Sequence, residues 1–185
     1  MSDSEVKHEC TFSIFTENSP GVLHRITVLF TRRKINIESL TVSHTEVEGV
    51  SRFTIVVNAT LHLAQVIAAQ LRRIIEVMKV QLSENEDLIY KEIAFFRVAT
   101  PDPQTRQYIA QHVVRHGASI VSIDPEALVI EKTGTEEEIR SLFKSFKSVK
   151  VVEFIRSGRI AMKKHVMEAK DPLIEYQAED GQVIM

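Results

Sequence analysis

The fold is decided by the stretch TFSIFTENSPGVLHRITVLFTRRKINIESLTVSH, residues 11–44. Along it the spacing of the apolar residues changes twice. Apolar and polar residues first alternate, which predicts a strand over Glu9 to Glu17. Ser19 as a cap and Pro20 at the first helical position then predict a helix, whose apolar residues recur at helical spacing: Val22, Ile26, Leu29 and Phe30. Alternation returns at Ile35, so the segment is expected to fold as strand, helix and strand.

The next residues extend this pattern to a complete supersecondary unit. The apolar phase of the second strand slips at Glu38-Ser39, which indicates a bulge, and Glu46–Gly49 is a polar hairpin loop. A third strand, a second amphipathic helix and a fourth strand follow, with apolar positions at Phe53, Ile55 and Val57, at Leu63, Val66, Ile67, Leu71 and Ile74, and at Met78, Val80 and Leu82. The order βαββαβ predicts a ferredoxin-like unit, a four-stranded antiparallel sheet with both helices on one face.

The same order returns after the polar stretch 83–87, which is the predicted linker. Asp124-Pro125 forms the predicted turn of its hairpin, and Thr135 with Glu138 predicts a capping box on its second helix. The sequence therefore predicts an α+β fold of two tandem ferredoxin-like modules, residues 9–84 and 88–158, followed by a tail over 159–185.

The tail has two open interpretations. It is charged and is interrupted by Pro172 and Gly181, so a solvated segment is expected. A short helix over Met162–Ala169 that docks on a partner is the alternative.

Composition excludes several classes of function. Hydrophobic residues make up 44% and charged residues 26% of the chain, which is ordinary for a globular protein. The net charge of −2 and the absence of dense Lys/Arg runs argue against nucleic-acid binding. No apolar run approaches the ~18 residues of a membrane-spanning helix, so no membrane role is expected. Cys10 is the single cysteine and no signal peptide is apparent, so the cytoplasm is the expected compartment.

A catalytic or metal centre is not expected. Cys10 lies at an inward position of the first strand, where a small core residue is the expected role. His112 and His116 are four residues apart on a helix, but no HExxH pattern surrounds them. The six glycines form neither a dinucleotide fingerprint nor a phosphate loop.

One loop has a rationale for binding. Glu17–Leu23 joins the first strand to the first helix, where free backbone N–H groups and the positive end of the helix dipole favour a carboxylate. Gly21 leaves room for a ligand, and Asn18 offers a donor and an acceptor. A ligand with a carboxylate and an ammonium group fits these properties; simple helix capping explains the same residues equally well.

The first half of the chain resembles a known family. TENSPGVLHRITVLFTRRKINIESLTVSHT (residues 16–45) and SRFTIVV (residues 51–57) are similar to the N-terminal ACT module of small regulatory subunits of acetohydroxyacid synthase, also called acetolactate synthase. VVEFIRSGRIAM (residues 151–162) resembles the family's closing strand and the Arg-Ser-Gly after it. The resemblance covers roughly residues 10 to 162 and implies an N-terminal ACT domain and a C-terminal ACT-like domain.

The resemblance implies a regulatory function without catalysis. Such a subunit raises the activity of a separate catalytic subunit and mediates feedback inhibition by a branched-chain amino acid, most often valine. The catalytic subunit holds thiamine diphosphate, magnesium and FAD, so no cofactor is expected on this chain.

The resemblance also implies an effector site between the ACT modules of a homodimer. One wall is formed by Asn18, Gly21, Val22 and Leu23 and the other by Asn36 and Ile37, with the amides of Gly21 and Val22 on the ligand carboxylate. Dimerisation would also pair an unpaired edge strand of the sheet. The equivalent loop of the second module, Pro101–Gln104, lacks the Asn-x-x-Gly pattern, so no effector site is expected there.

Three other functions remain as alternatives. A stand-alone ACT amino-acid sensor that acts on another enzyme or regulator would share the fold and the loop. A pair of RNA-binding modules has the same βαββαβ order but needs stacking aromatics on the third and first strands within a K/R-G-F/Y motif, whereas Ser51–Ile55 supplies one aromatic and no glycine. An enzyme on this scaffold would need a convergent acid, base or nucleophile.

Overall fold

A computed structural model describes residues 6–165 of the chain. They form nine strands and four α-helices in the order β1 (His8–Glu17), α1 (Val22–Arg32), β2 (Ile37–His44), β3 (Val50–Ala59), α2 (Leu61–Leu71), β4 (Val77–Glu84), β5 (Leu88–Ala99), α3 (Pro103–Arg115), β6 (Ser119–Ile123), β7 (Ala127–Gly134), α4 (Glu136–Ser145), β8 (Val151–Arg156) and β9 (Ile160–Lys163). The predicted repetition of βαββαβ is confirmed.

The chain divides into two compact units. Within the described residues, the first unit comprises 6–89 together with 161–165, and the second comprises 90–160. The chain therefore enters the second unit from the first unit and returns to it. In the first unit the Arg52 guanidinium donates to the Ala161 carbonyl, and Lys164 N–H donates to the Asp87 carbonyl at 2.8 Å.

The first unit is a four-stranded antiparallel sheet with strand order β2-β3-β1-β4. The face of β1 that carries Phe12 and Ile14 packs under the two helices, where the ring of Phe12 meets the ring of Phe30 edge to face, with centroids 5.4 Å apart. The β2–β3 register shifts between Ile37 and Ser39, so the predicted bulge is confirmed.

The start of α1 differs from the prediction. The helix begins at Val22 rather than at Pro20, and Gly21 rather than Ser19 is its N-cap residue. Gly21 has φ of 85°, in the left-handed region that glycine adopts without the steric cost of a side chain. The chain therefore turns at Gly21, and Pro20 stays in the preceding turn.

The second unit repeats the first with strand order β6-β7-β5-β8, again antiparallel. Phe96 and Phe146 meet at the centre of its core, with ring centroids 5.9 Å apart. The predicted capping box at the start of α4 is confirmed, since Glu138 N–H donates to the Thr135 side chain and Thr135 N–H donates to the Glu138 carboxylate.

Two predictions about irregular segments are corrected. The stretch 83–87 was expected to be a linker, but β4 continues through Glu84 and a single 3₁₀ turn, Asn85–Asp87, leads directly into β5. Part of the expected tail is also ordered, because β9 includes Met162 and Lys163 and excludes a helix there. The remainder of the tail, residues 166–185, lies outside the described residues.

Candidate functional site: the start of helix α1

Three backbone hydrogen bonds hold the loop between β1 and α1. Glu17 N–H donates to the Glu76 carbonyl at 2.9 Å, and Asn18 N–H donates to the Gly49 carbonyl at 2.7 Å. Ser19 N–H donates to the Glu17 carbonyl at 3.1 Å, and this hydrogen bond closes a tight turn. The loop is therefore fixed against two neighbouring loops before the helix begins.

The N-terminus of α1 is uncapped by any side chain. Each of the other three α-helices of residues 6–165 has such a cap, supplied by Thr60, Asp102 and Thr135. The N–H groups of the first turn have no partner within a helix, because the hydrogen bonds run from residue i to i−4. With glycine at the N-cap, the amide donors at the start of α1 remain available to a ligand or to solvent.

Arg25 lies over this helix start, and the sequence prediction missed it. One Nη atom donates to the Pro20 carbonyl at 3.5 Å and contacts the Glu76 carboxylate at 2.5 Å. A Cβ placed on Gly21 would lie 3.1 Å from the other Nη atom. The signal in the sequence was the i+4 spacing from Gly21, since residues four apart share one face of a helix.

The predicted site residues fall into two groups. Asn18 and Gly21 are exposed, and the Leu23 side chain is 42% exposed, whereas the Val22 side chain is buried in the core at 2%. Val22 can therefore contribute its backbone amide but not its side chain. At the start of β2, Asn36 is exposed with Nδ2 donating to the Glu38 carboxylate at 3.2 Å, and Ile37 is half-buried.

One chain does not bring these two groups together. Gly21 precedes the first residue of α1, and Asn36 follows the last. A helix of 11 residues spans about 16 Å at 1.5 Å per residue, which is longer than an amino acid. If one ligand contacts both groups, the second group must come from another chain.

The equivalent helix start in the second unit is capped by a side chain and is therefore closed to a ligand. Asp102 is the N-cap of α3, and its carboxylate accepts hydrogen bonds at 2.7 Å from both Thr105 N–H and the Thr105 hydroxyl. These bonds stabilise the ionised form and lower the pKa of Asp102. Pro103 at the next position has no N–H, so this helix start offers one donor fewer. The Asp102 carboxylate already occupies the place that an anionic ligand would take.

Elsewhere the described residues show little that could support catalysis. Burial raises the pKa of the Cys10 thiol and so disfavours the reactive thiolate. The rings of His112 and His116 are 6.4 Å apart, and burial lowers the pKa of His116. No group of three or more His, Cys, Asp or Glu side chains within residues 6–165 is placed to hold a metal ion. None of the helices over the same residues is both long and apolar enough to cross a membrane.

Comparison with known proteins identifies the family. The model of the AHAS small subunit-like ACT domain matches residues 12–79, and the model of the small subunit of acetolactate synthase matches residues 91–165. The acetolactate synthase small subunit of Mycolicibacterium smegmatis is 35% identical over 162 residues, which cover 88% of this chain and 94% of that protein. The chain belongs to the acetolactate synthase small-subunit family.

Further relatives agree with this assignment. The acetolactate synthase small subunit of Bacillus subtilis is 37% identical over 145 residues, 78% of this chain and 84% of that protein. The crystal structure of the small subunit from Thermotoga maritima superposes with a TM-score of 0.79 at 29% identity and covers 86% of this chain and 99% of that one. The resemblance read from the sequence and the fold of two ACT-like ferredoxin-type modules are thus confirmed. The six predicted effector residues remain a prediction.

Proposed function

We propose that this chain is the non-catalytic, regulatory subunit of an acetolactate synthase. It binds the catalytic subunit, raises its activity, and mediates feedback inhibition by a branched-chain amino acid, with valine as the first candidate. Family membership supports the subunit assignment. The observation that supports ligand binding is the uncapped start of α1 in the module that resembles an ACT domain.

The ligand would bind through groups that are already in place. Its carboxylate would accept hydrogen bonds from the amides of Gly21 and Val22 at the positive end of the helix dipole. The Arg25 guanidinium would add a positive charge on the same side, and the exposed Leu23 side chain would contact the aliphatic part of the ligand.

A second chain would complete the site. Asn18 of one chain and Asn36 of its partner would bind the ammonium group through their side-chain oxygens. The strand β2 lies at the edge of its sheet, and its Leu40 and Val42 side chains are 36% and 45% exposed. Pairing of two β2 edges about a two-fold axis would bury them and bring the start of one β2 near the other chain.

Inhibition would follow from a shift between conformations. A ligand changes an equilibrium only by its difference in affinity for the two states, so an inhibitor must favour the arrangement of the small-subunit dimer that activates less. Linkage then requires that binding of the catalytic subunit change the affinity for the amino acid by the same factor.

The test is reconstitution with the purified catalytic subunit, thiamine diphosphate, magnesium and FAD. Wild-type chain should raise acetolactate formation, and valine, leucine or isoleucine should reverse the increase. Gly21→Asp places a carboxylate at the expected position of the ligand carboxylate, so it should abolish inhibition and keep activation. Inhibition of the Gly21→Asp holoenzyme at wild-type amino-acid concentrations would refute the site, and failure to activate at all would refute the function.

The same function places the cofactors on the catalytic subunit and both subunits in one compartment. Thiamine diphosphate, magnesium and FAD would belong to the catalytic subunit, and both subunits would work in the cytoplasm. The chain alone, supplied with pyruvate and all three cofactors, should form no acetolactate. Formation of acetolactate by the chain alone would show that it is itself an enzyme.

A further inference from the structure

A groove separates helix α2 from strand β4 in the first unit. It encloses about 420 Å³, and its lining includes Leu61, Ala68 and Arg72 of α2 together with Val80 and Leu82 of β4. Ala68 and Val80 are 2% and 7% exposed, whereas Leu61 is 42% exposed. This α2–β4 groove therefore has a buried apolar floor and an apolar residue that is open to solvent.

The β4 side of the groove is the edge of a sheet. The strand β4 ends the first sheet and, within residues 6–165, pairs with β1. The Arg72 guanidinium donates to the Val80 carbonyl at 3.1 Å, so the backbone groups of Val80 point away from β1. Because this direction alternates along a strand, Leu82 also presents its N–H and carbonyl to the groove. An extended segment in the groove therefore finds backbone partners on β4, as in recognition by strand addition.

The described part of the chain ends beside the same groove. Lys163 lines the groove, as does Asp87, and Lys164 N–H donates to the Asp87 carbonyl at 2.8 Å. Residues 166–185 follow directly. The family model that matches the second module ends at residue 165, so this C-terminal segment lies beyond it. The C-terminal segment therefore starts next to the groove.

Residues 173–178 of this segment, LIEYQA, have the pattern of a half-buried strand. Ile174, Tyr176 and Ala178 are separated by the polar residues Glu175 and Gln177. Such alternation gives an extended chain one apolar side. Isoleucine and tyrosine are also among the residues enriched in strands. LIEYQA therefore matches a groove that has an apolar floor and an open strand edge.

We propose that residues 173–178 bind in the α2–β4 groove of the same chain and add a strand to β4. The apolar side of the segment, with Ile174 and Tyr176, packs against the apolar lining. The connecting residues 166–172 span up to about 23 Å, against about 26 Å for the eight residues of β4, so the segment reaches the groove. A short tether also gives an effective concentration in the millimolar range, which favours the chain's own segment over any other occupant.

Charge favours the same placement. Residues 171–180 contain four acidic residues and neither Lys nor Arg. Arg72 contacts the middle of β4, and Lys163 also lines the groove. The groove carboxylates, Glu84 and Asp87, lie at and beyond the C-terminal end of β4. The acidic segment therefore meets the cation Arg72 rather than these carboxylates when it lies along the middle of β4.

The first experiment is disulfide formation in the full chain, with the buried Cys10 kept in place. Gln65, which lines the groove, and Tyr176 are replaced by cysteine together. The control combines His62→Cys with Tyr176→Cys, because His62 is exposed on the same helix but does not line the groove. The first pair should form a disulfide within one chain at least about tenfold faster than the control pair. Equal rates, or a disulfide between two chains, would overturn the proposal.

The second experiment adds a synthetic peptide of residues 171–181 to the full chain and to a chain that ends at His165. The shortened chain keeps every helix and strand of the described residues and has about the length of the Thermotoga maritima small subunit. At a millimolar effective concentration, a Kd of about 0.1 mM gives roughly 90% occupancy by the chain's own segment. The peptide should therefore bind the shortened chain with a Kd of about 0.1 mM or below, and the full chain at least about tenfold more weakly. Equal Kd values, or no binding to the shortened chain at about 1 mM peptide, would contradict occupancy of the groove.

The third experiment locates the bound peptide. Arg72→Glu reverses a charge in the groove, and Arg73→Glu makes the same change at an exposed position that does not line it. In the shortened chain, Arg72→Glu should weaken peptide binding at least about tenfold, and Arg73→Glu about twofold or less. Equal losses would show that the peptide follows net charge rather than the groove, and the proposal would be wrong.

Discussion

The first helices of the two modules begin with related sequences, but the first helix start has no side-chain cap and the second is capped by a carboxylate. In the first module Pro20 precedes Gly21, and Arg25 is the fourth helical residue; in the second module Pro101 precedes Asp102, and Arg106 is the fourth helical residue. Gly21 leaves the helix amides open, whereas Asp102 occupies them with its own carboxylate.

A helix N-terminus can serve either the stability of the fold or the binding of a ligand. A side-chain cap satisfies an amide donor of the helix itself, and that donor is then closed to a ligand. Glycine at the N-cap is only a few tenths of a kcal/mol less stable than a good cap, so the open start costs the fold little. The second module uses the same place to stabilise α3.

The largest expected effect tests whether the two modules are independent structures. Phe30 in the first core is fully buried and Phe146 in the second is 1% exposed, and each meets another phenylalanine edge to face. Phe30→Ala and Phe146→Ala should each lower the free energy of unfolding by about 3–5 kcal/mol. Calorimetric unfolding should then show each variant shifting a different transition; one shared transition in both variants would mean that the modules unfold together.

The next effect tests the open helix start by direct binding. Gly21→Asp should weaken amino-acid binding at least about 100-fold, or about 2.8 kcal/mol, because its carboxylate occupies the place of the ligand carboxylate. Gly21→Asn is the matched control, since asparagine tolerates the left-handed region and has nearly the same size without the charge. Titration calorimetry with valine, leucine and isoleucine should show a much smaller loss for Gly21→Asn. Equal losses in both variants would attribute the effect to the backbone or to volume, not to charge.

A smaller effect tests whether Arg25 contributes to binding. Arg25→Ala removes a positive charge beside the amides, and we expect about fivefold weaker amino-acid binding, close to the 1 kcal/mol of a partly exposed ion pair. Arg106→Ala is the control in the second module, where the guanidinium donates to the Asp124 and Pro125 carbonyls. It should leave amino-acid affinity unchanged. A loss of affinity in Arg106→Ala would indicate a ligand site in the second module.

Much of the fold could be predicted from local signals. The alternation of β1, the bulge near Glu38 and the capping box of Thr135 each depend on a few neighbouring residues, so the sequence shows them directly. The βαββαβ order then follows from the succession of periods.

The features that could not be predicted depend on distant contacts or on competing caps. Ser19-Pro20 is a good helix start in isolation, but Ser19 N–H donates to the Glu17 carbonyl in a tight turn, and the helix begins at Val22 with Gly21 as its N-cap. Polar residues alternating along a strand are typical of a solvent-facing side, yet Thr11 and Ser13 are only 1% and 6% exposed. The position of Arg25 depends on Glu76, which lies 51 residues away.

The smallest expected effect concerns the closed helix start of the second module and its pH dependence. The folded pKa of Asp102 is lowered by the hydrogen bonds from Thr105, so its ionised form stabilises the folded state above the unfolded pKa of about 3.9. That contribution is lost as the pH falls through the still lower folded pKa. Asp102→Asn keeps a capping oxygen and removes the charge, so the wild type should have the higher Tm at neutral pH, and the difference should close as the pH falls below about 4. Because the other carboxylates are common to both proteins, their acid titration cancels in this difference. A Tm difference that stays constant down to pH 2 would mean that the charge of Asp102 contributes nothing, and the contrast with Gly21 would then concern hydrogen bonding alone.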